Sequence, residues 1–238
     1  MMSKLEGKKV LVVGGSSGIG EAAARELAAL GAQVTIASRD PAKLQAAAAR
    51  IGGSVRTAVL DTSNDAAVEA FFAAQEEYDH VVVSAAQTSS GPVRELPLVD
   101  AYAAMNSKFW GAYRVARAVK IAAGGSLTLV SGFLAARPSK TSVLQGAINA
   151  ALESLGRGLA LELSPVRVNT VSPGMVATPM WSGMSDEVRA AKFEAVAARL
   201  PAQRVGQPED LANAIVYLVT TPFATGSTVL VDGGGVIA

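Results

Sequence analysis

Short apolar runs rich in valine recur along the chain, and between them apolar residues return at helical spacing. Runs of about four to eight apolar residues are typical of buried strands, whereas a period near 3.6 is typical of amphipathic helices. The predicted strands cover residues 8–13, 33–38, 55–60, 80–84, 127–131, 166–171 and 228–231. The predicted helices cover residues 21–30, 40–50, 65–75, 100–123, 143–163, 185–200 and 208–220. This alternation predicts a doubly wound α/β fold, in which right-handed crossovers place helices on both faces of a parallel sheet.

Glycine and proline residues mark where several of the predicted helices end. Gly31 ends the first helix, Gly124 and Gly125 end the long fourth helix, and Pro165 ends the long fifth helix. No low-complexity linker and no repeat of fixed period divides the chain. We therefore expect a single domain over residues 1–238.

Composition and charge narrow the function classes. The formal net charge is +1 and no long basic or acidic run occurs, so a nucleic-acid partner is not expected. The lack of cysteine excludes disulfides and thiolate metal sites, and one histidine is too few for a histidine-rich metal site. The apolar run over residues 10–13 is far too short to span a membrane. We expect a cytoplasmic protein with no metal centre and no membrane association.

A glycine-rich turn lies between the first predicted strand and the first predicted helix. Its glycines, Gly14, Gly18 and Gly20, permit a tight turn and let backbone N–H groups approach a pyrophosphate closely. The following helix points its positive end at those phosphates, and the hydroxyls of Ser16 and Ser17 add further donors. The turn therefore predicts a dinucleotide-binding site.

The end of the second strand indicates which dinucleotide is bound. A carboxylate at this position would accept hydrogen bonds from the ribose hydroxyls and repel a 2′-phosphate. Here the strand ends with Ser38 and Arg39, a hydroxyl and a guanidinium that suit a phosphate. Asp40 follows as the predicted N-cap of the next helix. These residues favour NADP(H) as the cofactor.

Further short motifs extend this pattern along the chain. They comprise Asp61-Thr62-Ser63 after the third strand, Met105-Asn106-Ser107-Lys108 in the fourth helix, residues 167–174 (RVNTVSPG), Thr178, and residues 231–234 (VDGG). With the glycine turn and Ser38-Arg39, they run nearly end to end, and the chain resembles the short-chain dehydrogenase/reductase family. The resemblance implies a Rossmann-type, seven-stranded, mostly parallel sheet and an NADP(H)-dependent oxidoreductase acting on a small molecule. It also implies a homo-oligomer, either a tetramer or a dimer, built on the two long helices.

The same resemblance implies two sets of site residues. Asn106 corresponds to the family's structural asparagine at the catalytic centre, and Thr178 lies at the usual position for the nicotinamide amide. The full set of implied cofactor contacts is Gly14, Ser16, Ser17, Gly18, Ile19, Gly20, Ser38, Arg39, Asp61, Thr62, Ser84, Ala85, Ala86, Pro173, Gly174, Val176 and Thr178.

The chain departs from the family pattern at the end of the fourth strand. Residues 84–87 read Ser-Ala-Ala-Gln where the family has Asn-Asn-Ala-Gly or a close relative. Gln87 adds a side chain beneath the expected adenosine ribose. We expect cofactor binding to survive, because backbone contacts dominate there.

A larger departure lies in the fifth helix. The family's catalytic tyrosine, followed four residues later by lysine, aligns without a gap with Gln145 and Asn149. No tyrosine occurs between Tyr113 and Tyr217, so no small shift restores the pair. A glutamine has no transferable proton and an asparagine has no charge, so ordinary alcohol–ketone chemistry should be crippled.

The sequence leaves open which residue takes the serine position and which group supplies the proton. Ser131 ends the fifth strand as the family's serine does, but the commonest spacing back from Gln145 lands on Gly132. The Gln145 amide could donate a hydrogen bond to a developing oxyanion. The proton would then come from water or from the following loop, whose candidates are Ser139, Lys140, Thr141 and Ser142.

The segment after Thr178 and the small residues of the fifth helix each allow two interpretations. Residues 180–200 resemble the family's substrate lid, in which Met180, Trp181 and Met184 either line an apolar pocket or cover the core. Small residues of the fifth helix face either a partner helix or the interior; they are Gly146, Ala147, Ala150 and Ala151. His80, at the start of its strand, is expected to be structural.

Two functions remain as hypotheses from the sequence. The first is an NADP(H)-dependent oxidoreductase with an altered acid/base site at Ser131, Asn106, Gln145 and Asn149. The second is a protein without catalytic activity that binds NADP(H) as a structural or sensing ligand. The glycine turn supports both hypotheses, and the loss of the tyrosine and lysine favours the second.

Overall fold

A computed structural model describes residues 5–238. Within them, seven parallel strands form one sheet in the order β3-β2-β1-β4-β5-β6-β7. The strands are β1 (Lys9–Val13), β2 (Gln33–Ser38), β3 (Arg56–Val59), β4 (Tyr78–Val83), β5 (Ile121–Val130), β6 (Arg167–Pro173) and β7 (Thr228–Val231). The helices are α1 (Gly18–Ala29), α2 (Pro41–Ile51), α3 (Asp65–Ala73), α4 (Leu98–Met105), a π-helical segment (Asn106–Trp110), α5 (Gly111–Ala118), α6 (Val143–Glu162), α7 (Asp186–Ala197) and α8 (Pro208–Thr220). The predicted doubly wound, seven-stranded sheet is confirmed.

The sheet is buried on both faces, which explains why its strands are apolar at consecutive positions. Val10 and Val12 of β1 face a cluster formed with α1, α2 and α8. Leu11 and Val13, between and after them, face a second cluster formed with α3, α5 and α6. The strand order reverses between β1 and β4, so the crossovers diverge and open a crevice at the carboxyl ends of these strands.

The predicted helix over residues 100–123 is wrong at its last five residues, 119–123. The helix ends at Ala118, and residues 121–123 already belong to β5, where Ile121 pairs with Tyr78 of β4. Gly125 lies inside β5. Only a glycine fits there, because a Cβ would stand 2.2 Å from the Asp79 carbonyl oxygen. Gly125 thus permits a close approach between two strands, and Gly124, with a φ of +78°, bends the backbone within β5 rather than ending a helix. β4 likewise begins at Tyr78, two residues before its predicted start.

Local capping agrees with the predicted helix starts. The Asp40 side chain accepts hydrogen bonds from the backbone N–H groups of Ala42 and Lys43, as predicted for an N-cap. Ser185 caps α7 in the same way through the Val188 N–H. Among residues 5–238, no helix is both long and apolar enough to cross a membrane.

His80 lies at the amino end of the sheet, away from the crevice, and is buried. Its Nδ1 is 2.9 Å from the Ser126 Oγ on β5. Burial, with a contribution from the positive charge of Arg167, lowers the pKa of His80 to about 4. The neutral ring is therefore the form that the folded protein accepts, in keeping with a structural role.

We expect the free energy of unfolding to fall by about 3 kcal/mol through His80 as the pH drops from about 6.5 to about 4. In this window the unfolded chain binds a proton that the folded chain refuses, so acid favours unfolding; above about 6.5 the contribution is constant. His80→Asn keeps a polar group opposite Ser126 and removes the titration. Urea unfolding of both proteins at several pH values measures the difference. Parallel pH curves for the two proteins would contradict the assignment.

Candidate active site

A first cavity of about 570 Å³ lies at the carboxyl ends of β1, β2 and β4, and we call it the nucleotide cleft. It is lined by most of the predicted cofactor residues, namely Gly14, Ser16, Ser17, Gly18, Ile19, Gly20, Ser38, Arg39, Asp61, Thr62, Ser84, Ala85, Ala86 and Thr178. Gly14 has a φ of +87°, and a Cβ on it would stand 2.5 Å from the Ala85 backbone nitrogen. Only glycine fits this close approach.

The far end of the nucleotide cleft suits a phosphate. The buried Oγ of Ser38 has no hydrogen-bond partner within the described residues. Arg39 and Lys43 line the same part of the cleft and supply positive charge. A buried hydroxyl without a partner is costly, and a phosphate oxygen beside it would remove that cost. These side chains therefore fit the 2′-phosphate of NADP(H).

Gln87, the unusual residue after β4, reaches across the nucleotide cleft. Its Oε1 accepts a hydrogen bond of 2.8 Å from the Arg39 guanidinium on the far side of β1. Its backbone N–H donates to the Ser107 Oγ at 2.8 Å. The added side chain thus holds the guanidinium of Arg39.

The side of the cleft formed by the loop after β3 is built on Asp61. The Ser63 hydroxyl donates to Asp61 at 2.7 Å, and this hydrogen bond, opposed by partial burial, lowers the pKa of the carboxyl. The Asn106 side chain donates to the Ser63 carbonyl oxygen at 3.3 Å. The structure thus places Asn106 beside this loop, and Asn106 lines neither of the two cavities described here.

A second cavity of about 560 Å³ opens beyond β5 and β6, and we call it the substrate cavity. Ile19, Thr178 and Met180 line both cavities, so the two meet at one junction. Pro173, Gly174 and Val176, predicted as cofactor contacts, line the substrate cavity and not the nucleotide cleft. Trp181 lines it as well, whereas Met184 does not.

Gln145 lines the substrate cavity, but its amide is engaged. Its Nε2 donates to the Thr88 Oγ1 at 2.8 Å, and its Oε1 accepts from the Ser90 Oγ at 2.6 Å. Both partners lie in the loop after β4, so Gln145 ties that loop to α6. One N–H of the amide remains for a ligand.

Ser131 and Gly132 both line the substrate cavity, and neither presents a free hydroxyl to it. The Ser131 Oγ donates to the Glu153 Oε1 at 2.9 Å. The Glu153 Oε1 also accepts a hydrogen bond from the Ser172 Oγ at 3.1 Å. A Cβ on Gly132 would stand 2.6 Å from the Asn149 Nδ2, so a serine there would have to displace the Asn149 amide. Neither Ser131 nor Gly132 therefore offers a free hydroxyl to a ligand in this cavity.

The ammonium group of Lys108 lies behind Ser131 and Asn149, at the base of this wall of the substrate cavity. The side chain is buried, with 8% of the residue exposed, and it lines the substrate cavity. Its Nζ donates to the Asn149 Oδ1 at 2.6 Å and to the Ser131 carbonyl oxygen at 2.7 Å. An ammonium has three N–H donors, and the third has no acceptor among residues 5–238.

Burial changes the acidity of this group. It lowers the pKa of Lys108 to about 8, because the charged form is poorly solvated, while the negative charge of Glu153 partly opposes the shift. Glu153 lies one turn after Asn149 on α6, so both face Lys108 from the same helix. A proton donor whose pKa lies close to neutral pH is suited to acid/base work.

Comparison with known proteins agrees with this geometry. The family described as enoyl-(acyl carrier protein) reductase matches residues 13–235. The short-chain dehydrogenase/reductase ucsE of Acremonium sp is 30% identical, with 99% of this chain and 97% of that protein covered. The chain belongs to the short-chain dehydrogenase/reductase family.

Two solved structures show the same fold. A small-chain dehydrogenase in complex with NADPH is 31% identical, with a TM-score of 0.82 and coverage of 98% of this chain and 100% of that chain. An NADPH-bound short-chain oxidoreductase from Pseudomonas aeruginosa PAO1, described as containing an atypical catalytic center, is 27% identical with a TM-score of 0.88. Its alignment covers 97% of this chain and 98% of that chain.

In this short-chain dehydrogenase/reductase, Lys108 reaches the site because of its place in the helix. Ala104, Lys108, Ala112 and Ala116 recur every four residues and are all buried, so the lysine stands in an apolar stripe. It also lies within the π-helical segment Asn106–Trp110, a geometry that is frequent at functional sites. Sequence reasoning missed Lys108, although its position in that stripe was a readable signal.

The loop after β5 contributes less than the sequence suggested. Ser139 and Ser142 line the substrate cavity of this short-chain dehydrogenase/reductase, whereas Lys140 and Thr141 do not, and Lys140 is exposed. Arg137 of the same loop does line it. Across residues 5–238, no three histidine, aspartate or glutamate side chains are grouped so that they could hold a metal ion.

Proposed function

We propose that this chain is an NADP(H)-dependent oxidoreductase that reduces a carbonyl group of a small molecule, with Lys108 as the proton donor. The observation that carries the proposal is the buried Lys108 ammonium, held 2.6 Å from Asn149 at the wall of the substrate cavity. The junction at Ile19, Thr178 and Met180 supports it, because a cofactor in the nucleotide cleft would there meet a substrate.

The chain's own residues have separate roles in this proposal. Bound NADPH supplies the hydride. Lys108 holds the proton that the reduced oxygen requires, and Asn149 and the Ser131 carbonyl aim its ammonium. Gln145 fixes the loop after β4 and offers its remaining N–H to the same oxygen.

Wild-type turnover as a function of pH tests the proposal. With NADPH and a panel of ketones, aldehydes and quinones, the turnover number for reduction should be level at neutral pH and fall above about 8, where Lys108 loses its proton. Oxidation of the matching alcohols should rise over the same range. No oxidation of NADPH across the panel, with the cofactor shown to bind, would reject the proposal.

A second candidate function is NADP(H) binding without catalysis. The observation that favours it is that the Gln145 amide and the Ser131 hydroxyl are both engaged within the protein. In this case NADPH would bind tightly and remain unoxidised at every pH. The turnover panel separates the two candidates.

Arg39 should determine the preference for NADPH over NADH. Arg39→Gln should weaken NADPH binding about 10–100-fold, because a charge-assisted hydrogen bond to phosphate contributes about 1.5–3 kcal/mol. NADH binding should change little. Fluorescence titration of both cofactors measures the ratio, with Arg56→Gln as a control, since Arg56 is exposed on β3 and lies outside the nucleotide cleft. An equal loss for both cofactors would show a general effect on the cleft instead.

We also propose a homo-oligomer built on the long helices. Large apolar side chains are exposed on α4 and the segment after it, including Leu98, Tyr102 and Trp110. The small residues Ala147 and Ala150 of α6 are exposed too, which permits a close approach of a second helix. Light scattering after size exclusion gives the assembly size, and a monomer at micromolar concentration would contradict the proposal.

A further inference from the structure

The substrate cavity combines an apolar wall with a positively charged mouth. Its apolar surface comes from Phe133, Leu134, Met175, Trp181, Val196 and Leu200. Three cationic side chains line it besides Lys108: Arg137 after β5, Lys192 on α7 and Arg199 just after α7. The charges therefore come from two separate segments of chain that meet at one opening.

These three cations lack carboxylate partners, which distinguishes them from most others on the surface. Nine other lysine and arginine side chains of residues 5–238 form ion pairs with carboxylates. Arg137 donates instead to the Gly235 carbonyl oxygen, and Arg199 donates to the Ala195 carbonyl oxygen at 3.2 Å. Lys192 lies 4.6 Å from the centre of the Trp181 ring.

The acidic groups at the cavity do not neutralise this charge. The Asp232 carboxylate accepts hydrogen bonds from the backbone N–H groups of Gly234 and Val236, at 2.9 and 2.7 Å. These bonds hold it within the backbone turn that follows β7. Ala238 also lines the cavity, and its side chain is uncharged. The cations outnumber the anions, and low-dielectric walls strengthen the resulting field.

We infer that the substrate of this cavity is an amphipathic anion, namely a carbonyl compound with an apolar body and an acidic group such as a carboxylate. The apolar body fits the wall between Phe133 and Trp181, and the acidic group meets Lys192, Arg199 and Arg137 at the mouth. The inference rests on the proposed reductase function for its carbonyl group, but the anion preference is a property of binding alone. It predicts which substrates to test first.

Binding to the protein saturated with NADPH tests the inference without any turnover, because neither a carboxylate nor an alcohol accepts hydride from it. Decanoate and decan-1-ol share an apolar chain and differ in charge, and Trp181 fluorescence or calorimetry reports their binding. Decanoate should bind about tenfold or more tightly than decan-1-ol, because charge-assisted hydrogen bonds are stronger than neutral ones. The preference should shrink in high salt.

Charge-neutral variants locate the acidic group. The double variant Lys192→Gln/Arg199→Gln should lose most of the preference for decanoate and keep the affinity for decan-1-ol. Lys140→Gln is the matched control, since Lys140 lies in the loop beside Arg137 but outside the cavity. It should behave as the wild type.

Each outcome decides the inference. Equal binding of the two probes, or no binding of decanoate at millimolar concentration, overturns it. A preference that survives in the double variant but is lost in Lys108→Met also overturns it, because the acidic group would then lie at the base of the cavity. A preference lost in the double variant supports it, even if the carbonyl panel shows no turnover and the proposed reductase function fails.

Discussion

Lys108→Met should lower the turnover number for carbonyl reduction by about 10²–10⁴-fold, the usual contribution of a positioned general acid. Methionine keeps much of the length and bulk of the side chain and removes the ammonium that Asn149 and Ser131 hold. NADPH affinity should change little, because Lys108 does not line the nucleotide cleft. Steady-state kinetics with a cofactor titration measures both effects.

Two controls keep a structural effect apart from a catalytic one. The variant leaves two buried acceptors without a donor, so a loss of about 1–3 kcal/mol in the free energy of unfolding is expected alongside the kinetic effect. Lys120→Met, at an exposed lysine before β5, should leave activity unchanged. Methylamine should partly restore the turnover of Lys108→Ala. A Lys108→Met protein with near wild-type turnover and no fall in rate above pH 8 would remove the lysine from the mechanism.

Asn149→Lys should lower the free energy of unfolding by about 3–5 kcal/mol, the range for an uncompensated buried charge. Asn149 is 2% exposed, and its Oδ1 lies 2.6 Å from the Lys108 Nζ. A second ammonium would therefore be buried against the first, where like charges repel strongly. Restoring the family's lysine at its usual position is thus expected to damage this protein.

The cost should disappear when the first charge is removed. Lys108→Asn/Asn149→Lys exchanges the two side chains across the same contact, so the double variant should recover most of the lost stability. Denaturant unfolding of the wild type, both single variants and the double variant gives the coupling energy. Additive effects of the two substitutions would contradict the like-charge explanation.

The fold and the nucleotide cleft were predictable from the sequence because their determinants are local. Gly14 directly follows β1 and Gly18 begins α1, so the turn can be identified from adjacent residues. Ser38 and Arg39 lie at the end of the next strand for the same reason. The order of strands then follows from chain connectivity and the handedness of crossovers.

The wall of the substrate cavity around Lys108 was not predictable in the same way, since its contacts join distant parts of the chain. Lys108 and Asn149 are separated by 41 positions, and Gln145 and Thr88 by 57. Ala-rich residues 121–123 have helical propensity, yet pairing of β5 with β4 makes them a strand. Such tertiary contacts override local preference and leave little signal in a single sequence.

The π-helical segment Asn106–Trp110 ties the aim of Lys108 to the length of the chain as well as to its identity. Each residue of an ordinary helix advances the side-chain direction by about 100°. The wider π-helical turn therefore fixes how the side chains before it are rotated about the helix axis relative to those of α5. A one-residue deletion there would rotate the ammonium away from α6 while every neighbouring residue type stayed the same. Apart from Lys108 itself, this stretch should tolerate substitutions better than insertions or deletions.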